Sequence, residues 1–538
     1  MRVALIAAPY PLEELPSPPL GLGYVAAAFE AAGCEVKILD YIVSRYSREK
    51  IEAQLEAFQP DAVGAGSVTM NFHDARRILR DVKAISPDIL TMMGGPHVSF
   101  TVAQTLNHHP EIDVIFRGES EDTIAQFVPV MADPDRWGGI AGIAYRRDGA
   151  IVDNGRRAFI DDPDRLPLPA RRLMPISRYK ALGFPVSMIT GRGCPYGCIF
   201  CSGRKMVGPK LRRRSTASVL DEVEDILDLG FERINIADDL FASDTERVRD
   251  ICTGIHERGL KFDWSAFARV DTVTQEMLDL MAKAGCDSVS YGIESGCPDM
   301  LKRVRKGILI DQAEAAVRMC KQAGMQAHAS FMVGLPGETL ESLERTDAFA
   351  RSLDTFYGYH FLAPFPGTTV RENIGQYDLK ILTDDWSQYH ANDAVVQTSA
   401  VTPGDLRDFV GRYEADINRR WQEMLTAYGT GRNYPSDEMR VEGHHRMHIT
   451  FAILKNDLVE KLGFVESALL NGDPDAAGPV LEDRMAAVLE GDKRLIRKTV
   501  ADFVSRGYLT PEPCGNGVAW RWHRSPGREQ PLRAQACA

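Results

Sequence analysis

The sequence predicts an α/β protein with three parts: a doubly wound, Rossmann-like sheet, then a partial (β/α)6, TIM-like barrel, and finally a mainly helical carboxyl-terminal region. Short β-rich runs alternate with amphipathic helical patterns twice along the chain, and past residue 400 helical patterns dominate. The length of 538 residues also exceeds what one compact core accommodates. We therefore expect a first domain at residues 1–135, a connector at 136–182, a second domain at 183–395 and a third at 396–538.

The first alternating series predicts a parallel sheet with helices on both faces. Its strands are expected at Val3–Ala7, Glu35–Leu39, Ala62–Ala65, Ile89–Met93 and Val114–Phe116, with helices near residues 22–32, 47–58 and 72–85. Sheets of this kind bind ligands beyond the carboxyl ends of their strands. Those ends carry small and polar residues that allow close backbone approach: Pro9, Ser67-Val68-Thr69, Gly94-Gly95-Pro96-His97 and Arg117-Gly118-Glu119.

The connector is expected to be β-rich, with a hairpin formed by Ile140–Arg146 and Ala150–Asn154. A second alternating series then begins at Val186. Its strands are predicted at Val186–Ile189, Arg233–Ala237, Phe262–Phe267, Ser288–Tyr291, Gln326–Met332 and Tyr357–Leu362. Six βα units favour an open, partial barrel over a closed eight-stranded one.

The last part of the chain predicts helices at Gly404–Tyr428, Arg446–Leu462 and Lys493–Phe503. Two short β runs follow the third helix, so that the end of the chain resembles a winged helix. A packing or lid role is the stronger interpretation of this segment, because the net charge of −12 does not favour binding to nucleic acid.

Composition excludes several classes of protein. The densest basic run, Lys210 to Arg214, is more typical of a solvated loop face than of a phosphate site. No apolar run is long enough to cross a bilayer, and the amino terminus lacks the pattern of a secretory leader. We therefore expect a cytoplasmic protein with neither a membrane nor a nucleic acid as partner.

Three of the ten cysteines are close together in the sequence, which is the wrong pattern for a disulfide framework. Cys194, Cys198 and Cys201 lie on one short loop, and Gly193, Pro195 and Gly197 let that loop fold tightly. Three thiolates can hold three irons of a [4Fe–4S] cubane and leave the fourth iron open to an external ligand. A zinc site is the alternative, but zinc would need a fourth cysteine or histidine nearby, and the next histidine is His256.

The CxxxCxxC loop, with Phe200 before its last cysteine, resembles the signature of the radical S-adenosylmethionine superfamily. The resemblance implies that the open iron chelates S-adenosylmethionine and that reductive cleavage yields a 5′-deoxyadenosyl radical, with electrons from a flavodoxin- or ferredoxin-type donor. It also implies that Arg269 pairs with the carboxylate of S-adenosylmethionine and that residues 334–336 lie against adenine. The implied contacts with S-adenosylmethionine are Phe200, Asp239, Arg269, Glu294, Ser295, Gly334, Leu335 and Pro336.

The amino-terminal strand ends resemble the cobalamin-binding domain of the cobalamin-dependent radical enzymes. The similarity lies in Pro18-Pro19-Leu20-Gly21-Leu22-Gly23-Tyr24, Gly94-Gly95-Pro96-His97 and Arg117-Gly118-Glu119-Ser120-Glu121, so that the two resemblances together span about residues 1 to 370. The implied cobalamin contacts are Leu20, Gly21, Ser67, Val68, Thr69, Gly94, Gly95, His97, Gly118 and Glu119.

The Asp-x-His-x-x-Gly motif that supplies a histidine to cobalt in other cobalamin proteins is absent from this sequence. An exposed position in the first turn of a helix is the stronger interpretation of His73, and His97 is expected to line the nucleotide tail. We therefore expect no protein imidazole beneath cobalt, with the loop Ser67-Val68-Thr69 closest to its lower face.

The two cofactors together predict a methyltransferase that moves a methyl group from methylcobalamin to an unactivated carbon or phosphorus centre of a small molecule. The alternative enzyme is a cyclase or ring-rearranging enzyme that transfers no methyl group, and the non-enzymatic alternative is a cobalamin sensor. No catalytic side chain beyond the cofactor contacts is identified. Candidate pocket residues, which could equally belong to the barrel core, are Tyr291, His328, Phe331, His360, Phe361 and Phe365.

Overall fold

The computed structural model describes residues 1–11, 15–470 and 476–523, and it confirms the predicted α/β class and the order of the parts. The first sheet contains β1 (Arg2–Ala7), β2 (Glu35–Asp40), β3 (Ala62–Gly66), β4 (Leu90–Gly94), β5 (Val114–Phe116), β6 (Ile143–Arg147) and β7 (Ala150–Asp153). Its order is β2-β1-β3-β4-β5-β6-β7. The first five strands run parallel, and the predicted connector hairpin joins them antiparallel at one edge, so that this sheet extends to Asp153.

The helices of this part are α1 (Leu20–Ala31), α2 (Arg48–Phe58), α3 (Phe72–Ile85), α4 (Pro96–Phe100), α5 (Val102–His108), α6 (Glu121–Phe127) and, in the connector, α7 (Ile176–Leu182). Strand β1 is buried along almost its whole length, as expected for a parallel sheet covered on both faces.

The second sheet is the predicted open barrel of six parallel strands, in the order β15-β14-β13-β12-β11-β8. Its strands, with the two-stranded ribbon β9–β10, are β8 (Val186–Met188), β9 (Gly191–Arg192), β10 (Arg212–Arg213), β11 (Arg233–Ile236), β12 (Asp263–Ala268), β13 (Cys286–Glu294), β14 (Gln326–Val333) and β15 (Phe356–Phe361). The helices are α8 (Gly203–Val207), α9 (Thr216–Asp228), α10 (Thr245–Glu257), α11 (Gln275–Lys283), α12 (Pro298–Arg303), α13 (Ile310–Gln322), α14 (Leu340–Ser352) and α15 (Thr369–Glu372). Polar side chains that accept a backbone N–H of the first turn begin four of these helices: Ser215, Asp244, Thr274 and Thr339.

The remaining elements are β16 (Lys380–Ile381), β17 (Val396–Gln397), α16 (Pro403–Gly429), α17 (Pro435–Lys455), α18 (Leu458–Leu462), β18 (Phe464–Glu466), α19 (Ser467–Leu470), α20 (Ala477–Val488), α21 (Lys493–Ser505), β19 (Leu509–Cys514) and β20 (Gly517–Trp522). The last sheet has the order β18-β20-β19, and α20 and α21 lie between β18 and β19 in the chain. The resemblance of this end to a winged helix stays a prediction. None of the described helices is long and apolar enough to span a membrane.

The predicted continuous helix Arg446–Leu462 is wrong. Helix α17 begins earlier, at Pro435, and ends at Lys455, and the chain turns at Asp457 before α18 begins. Asp457 has a φ of +49°, and its carboxylate accepts hydrogen bonds from Lys50 Nζ at 2.9 Å and from the backbone N–H of Arg45 at 3.1 Å. These contacts with the first domain stabilise the break, because Asp tolerates the left-handed region better than most residues.

Candidate functional site

The cysteine loop follows β9 and leads into α8, at the carboxyl end of the first barrel strand. Two backbone hydrogen bonds anchor it: Cys194 N–H donates to the Gly208 carbonyl at 3.0 Å, and Ile199 N–H donates to the Val304 carbonyl at 3.1 Å. Gly193 has a φ of +109°, and a Cβ there would lie 2.2 Å from the Lys210 carbonyl oxygen. Only glycine therefore permits this close packing of the loop.

The three thiols suit a cluster better than a single metal ion. All three are reduced, and burial raises the pKa of the Cys194 thiol and raises that of Cys201 to about 11. Across the part of the chain that the structure describes, no three His, Cys, Asp or Glu side chains converge closely enough to hold one metal ion. In a cubane each thiolate binds a different iron, so that three thiolates on one loop can hold a cluster without sharing one metal ion. The residues therefore fit a [4Fe–4S] cluster.

Arg269, at the end of β12, lies directly beside the cysteine loop. Its guanidinium carbon is 3.5 Å from the ring centroid of Tyr196, and its Nε and Nη2 donate to Asp271 at 2.9 and 3.0 Å. Nη2 also donates to the Lys306 carbonyl at 2.9 Å. These partners leave Nη1 for a further acceptor, so that the predicted contact with a carboxylate stays possible through one nitrogen.

Glu294 and Lys306 form a buried ion pair that sequence reasoning missed. Lys306 Nζ lies 2.7 Å from Glu294 Oε1, and both side chains are almost fully buried. Glu294 has a φ of +73°, an unusual conformation for a non-glycine residue that the pair helps to hold. Nothing in the basic run around Lys306 distinguishes it from its exposed neighbours Lys302 and Arg303.

Ser295, a predicted contact of S-adenosylmethionine, has hydrogen-bond partners within the protein. Its hydroxyl is fully buried, lies 3.0 Å from Thr346 Oγ1 on α14 and accepts the N–H of Cys297 at 3.1 Å. Both contacts face the helix layer and cap the turn that leads into α12. Ser295 therefore shapes the strand end, and its contact with S-adenosylmethionine stays a prediction.

The loop Gly334-Leu335-Pro336 at the end of β14 is buried and held by a glutamate that the sequence did not single out. Glu338 Oε2 accepts the backbone N–H groups of Gly334 and Leu335, the second at 3.2 Å. Oε1 of the same group has no hydrogen-bond partner among the described residues. Burial raises the pKa of Glu338 to about 8, against the lowering effect of the two N–H donors.

Two aspartates end the neighbouring strand β11. Asp238 is buried and accepts the Thr190 N–H and, at 2.6 Å, the Thr190 hydroxyl. Burial raises the pKa of Asp238 to about 6. Asp239 instead faces the cysteine loop, where it accepts the Gly193 N–H, and burial raises the pKa of its carboxyl group. The ring of Phe200, half-buried, packs on the core that the two large domains share.

The carboxyl edge of the first sheet is built from backbone in close contact. Ser67 N–H donates to the Gly94 carbonyl at 2.9 Å. Gly95 has a φ of +106°, and a Cβ on it would lie 2.3 Å from the Ser67 carbonyl oxygen. Gly118, with a φ of +72°, donates its N–H to Ser99 Oγ at 3.0 Å. Leu20 and Gly21 begin α1 at this same edge, and Gly21 is exposed.

The two histidines of this edge have different surroundings. His97 is 1% exposed, packs 4.2 Å from the ring centroid of Phe72 and lies 3.3 Å from Thr69 Oγ1. Burial lowers the pKa of His97 to about 3, so that its ring is neutral. His73 is exposed in the first turn of α3, the position that the sequence favoured. Val68, between Ser67 and Thr69, is the exposed apolar residue of that loop.

Glu119 binds arginines of the barrel instead of standing open to a ligand. Its two oxygens accept from Arg212 Nη1 and Nη2, both at 2.8 Å, and Arg192 Nη1 lies 3.3 Å from Oε1. Arg192 Nη2 also donates to Glu121 at 2.6 Å. The Glu119–Glu121–Arg192–Arg212 cluster, which we call the ionic clasp, joins the first sheet to the base of the cysteine loop. The predicted contact of Glu119 with cobalamin stays a prediction.

The open face of the barrel differs from the predicted pocket. Phe331 is fully buried against Phe349 of α14, and Tyr291 and Phe361 are likewise buried on the helix side. These three belong to the barrel core, which is one of the two alternatives that the sequence left open, because residues alternate faces along a strand. His328 and His360 occupy the alternate positions and stay on the open side, whereas Phe365 is half-buried near Tyr389. The open face also carries residues that were missed: Asn235, Ser265, Phe267 and Phe356.

Comparisons with known proteins agree with this geometry. Residues 14–128 match the family model described as the B12 binding domain, and residues 188–350 match the Radical SAM superfamily. The chain is 34% identical over 388 residues to an uncharacterised methyltransferase of Pyrococcus horikoshii, which covers 72% of this chain and 84% of that protein. It is 30% identical over 411 residues to the anaerobic magnesium-protoporphyrin IX monomethyl ester cyclase of Rubrivivax gelatinosus. That match covers 73% of this chain and 72% of the cyclase.

A solved structure shares the fold. The radical S-adenosylmethionine methyltransferase TsrM from Kitasatospora setae, with cobalamin and a [4Fe–4S] cluster bound, superimposes with a TM-score of 0.64 at 19% identity. The superposition covers 84% of this chain and 99% of that one. The first sheet and the partial barrel therefore occur together in a protein that holds both cofactors.

Proposed function

Because this chain belongs to the cobalamin-dependent radical S-adenosylmethionine enzymes, we propose that it transfers a methyl group from methylcobalamin to an unactivated carbon or phosphorus centre of a small molecule. Its cofactors are a [4Fe–4S] cluster, S-adenosylmethionine and cobalamin. One observation carries the proposal: the ionic clasp fixes the cysteine loop next to the carboxyl edge of the first sheet. Two reactive cofactors held on these loops would face one substrate space.

The chain's own residues supply positions and charges for this chemistry. When bound, the cofactors supply a 5′-deoxyadenosyl radical and a methyl donor. Cys194, Cys198 and Cys201 would hold the cluster, and Arg269, oriented by Asp271 and Tyr196, would direct Nη1 to the carboxylate of S-adenosylmethionine. The loop held by Glu338 would lie against adenine, and the Glu294 carboxylate, fixed by Lys306, would accept from ribose or from the amino group.

The first sheet would bind cobalamin mainly through backbone. The loop Ser67-Val68-Thr69 and Gly94-Gly95 offer a closely packed surface, and Val68 is the exposed side chain available to the lower face of the corrin. His97 is buried and neutral, and His73 is exposed beside Asp385, 3.6 Å away. The absence of the Asp-x-His-x-x-Gly motif and the burial of His97 support the hypothesis that cobalt has no histidine below it.

The proposal is tested by counting products. Holoenzyme incubated with a candidate metabolite should form S-adenosylhomocysteine and 5′-deoxyadenosine in near equality, because one molecule of S-adenosylmethionine restores the methyl donor and another makes the radical. Mass spectrometry of the metabolite should show a gain of one methylene. A second function has support of its own, because a cyclase is 30% identical to this chain. Deoxyadenosine formed without S-adenosylhomocysteine would favour that cyclase or rearrangement chemistry.

We also propose that the protein works in the cytoplasm with a flavodoxin- or ferredoxin-type reductant. Reduced thiols around an oxygen-sensitive cluster require a reducing compartment. An electron must reach the cluster for each reductive cleavage, so that a carrier protein is needed in addition to the small-molecule substrate.

A further inference from the structure

The cysteine loop lies within the most basic stretch of the chain. Residues 192–214 contain seven arginines and lysines and no aspartate or glutamate, in a protein whose net charge is −12. Three of these cations are buried in ion pairs with glutamates: Arg192, Arg212 and Arg214. The other four, Arg204, Lys205, Lys210 and Arg213, reach the surface, and we call them the basic rim.

The basic rim is continuous with the cysteine loop. Arg204, on α8, donates from Nη1 to the Pro195 carbonyl at 2.9 Å, and Pro195 directly follows Cys194. The Lys210 carbonyl packs against Gly193, at the other side of the same cysteine. A protein that touches Arg204 and Lys210 would therefore stand at the outer surface of the cluster site.

Part of the rim's charge has no counterion. Lys205 pairs with Glu372, and Arg213 pairs with Asp244 at 2.6 Å. Arg204 and Lys210 are exposed and form no ion pair with any residue that the structure describes. Behind them, Arg156 lies 4.4 Å from the Phe100 ring centroid and donates to the Lys205 carbonyl at 2.6 Å. The surface around the cluster site is thus locally cationic on an acidic protein.

We propose that the basic rim is the docking surface for an acidic, low-potential one-electron carrier protein. This inference rests on the proposed function, because each reductive cleavage consumes one electron. In the transfer the carrier is oxidised by one electron and the cluster is reduced by one, and no bond is made or broken. Opposite charges speed and orient such encounters, and electron-transfer interfaces are small enough for a few charges to dominate them.

The test compares a protein reductant with a small neutral one. The holoenzyme variant Arg204→Glu with Lys210→Glu is mixed anaerobically with reduced acidic flavodoxin, or with photoreduced deazaflavin, and cluster reduction is followed by stopped flow and electron paramagnetic resonance. We expect flavodoxin to reduce the variant about tenfold more slowly at low ionic strength, with the deficit shrinking as salt rises. Deazaflavin should reduce variant and wild type at equal rates.

Two further proteins keep the result interpretable. Arg204 also holds the Pro195 carbonyl, so Lys210→Glu alone, with an expected slowing of about threefold, separates charge from loop damage. Lys261→Glu makes the same charge change before β12, at the opposite end of the barrel, and should behave like wild type. Equal flavodoxin rates for wild type and both rim variants at low salt would overturn the proposal. Deoxyadenosine formed with deazaflavin reports separately on the proposed function.

Discussion

The cysteine loop and the carboxyl edge of the first sheet, which the ionic clasp joins, are built in opposite ways. The loop presents donor atoms, namely the sulfur atoms of three reduced thiols. The edge presents packed backbone, with Gly95 against Ser67 and a buried His97. The two sites should therefore be sensitive to different substitutions. Removing a sulfur atom should prevent cluster binding by the cysteine loop, and adding a methyl group should disrupt the sheet edge.

The largest expected effect is on the cysteine loop. Cys198→Ala removes one of three thiolates, so that one iron of the cubane loses its protein ligand. We expect iron and sulfide content to fall to background and deoxyadenosine formation to be abolished, measured by iron analysis and product chromatography after anaerobic reconstitution. Cys34→Ala, at a buried cysteine of the first domain, is the control and should keep its cluster. A Cys198→Ala protein with full iron content would sink the cluster assignment.

The converse experiment adds a methyl group to the sheet edge. Gly95→Ala must adopt a φ of +106° and place its Cβ 2.3 Å from the Ser67 carbonyl oxygen, so that backbone has to move. We expect a loss of roughly 3 kcal/mol in unfolding free energy, measured by urea denaturation, together with weakened cobalamin binding. Gly149→Ala has a similar φ of +77° but open space around the new Cβ, and isolates the conformational cost. Equal losses of unfolding free energy in the two variants would show that the close contact with the Ser67 carbonyl oxygen has no additional cost.

A pH-dependent effect of similar size sharpens the comparison. The Gly334-Leu335-Pro336 loop shows that the barrel, too, contains backbone held by close contacts. The pKa of Glu338 is raised to about 8 in the folded chain, against about 4.5 unfolded. Protonated Glu338 therefore contributes to the free energy of unfolding. This contribution is fully present below pH 4.5 and is lost as the pH rises through 8. The glutamine of Glu338→Gln cannot ionise. Between pH 5 and 8 the variant should therefore lose ~3 kcal/mol less unfolding free energy than wild type, measured by urea denaturation.

Its control is Glu341→Gln, which changes an exposed glutamate in the first turn of α14. That variant should follow the wild-type pH dependence. A Glu338→Gln protein that loses stability with pH as steeply as wild type would show that Glu338 does not bind its proton more tightly in the folded state.

The smallest expected effect concerns cobalt. If the sheet edge contributes backbone and no imidazole, His73→Ala should leave the electron paramagnetic resonance spectrum of the cob(II)alamin form unchanged. Nitrogen superhyperfine splitting that is present in wild type and disappears in His73→Ala would mean that the edge, like the loop, supplies a donor atom. The comparison between the two regions would then fail.

Local patterns explain what the sequence could predict. The spacing of Cys194, Cys198 and Cys201 lies within eight residues, and the alternation of strands and helices repeats over short windows. The remaining contacts could not be predicted, because they depend on information that only the folded chain contains. The inward or outward direction of Phe331 depends on strand register, and Ser295 turns away because α14 brings Thr346 to it. Glu119 meets Arg212 across 93 positions of sequence, a pairing that no local pattern encodes.

The ionic clasp limits how this protein could be taken apart or recombined. Glu119 and Glu121 belong to the first domain, whereas Arg192 and Arg212 belong to the strands that flank the cysteine loop. Replacing one member of the clasp in the intact protein would leave a buried charge without its partner, which is far costlier than the loss of an ordinary surface ion pair. An exchange of either domain would therefore have to carry matching carboxylates and guanidinium groups.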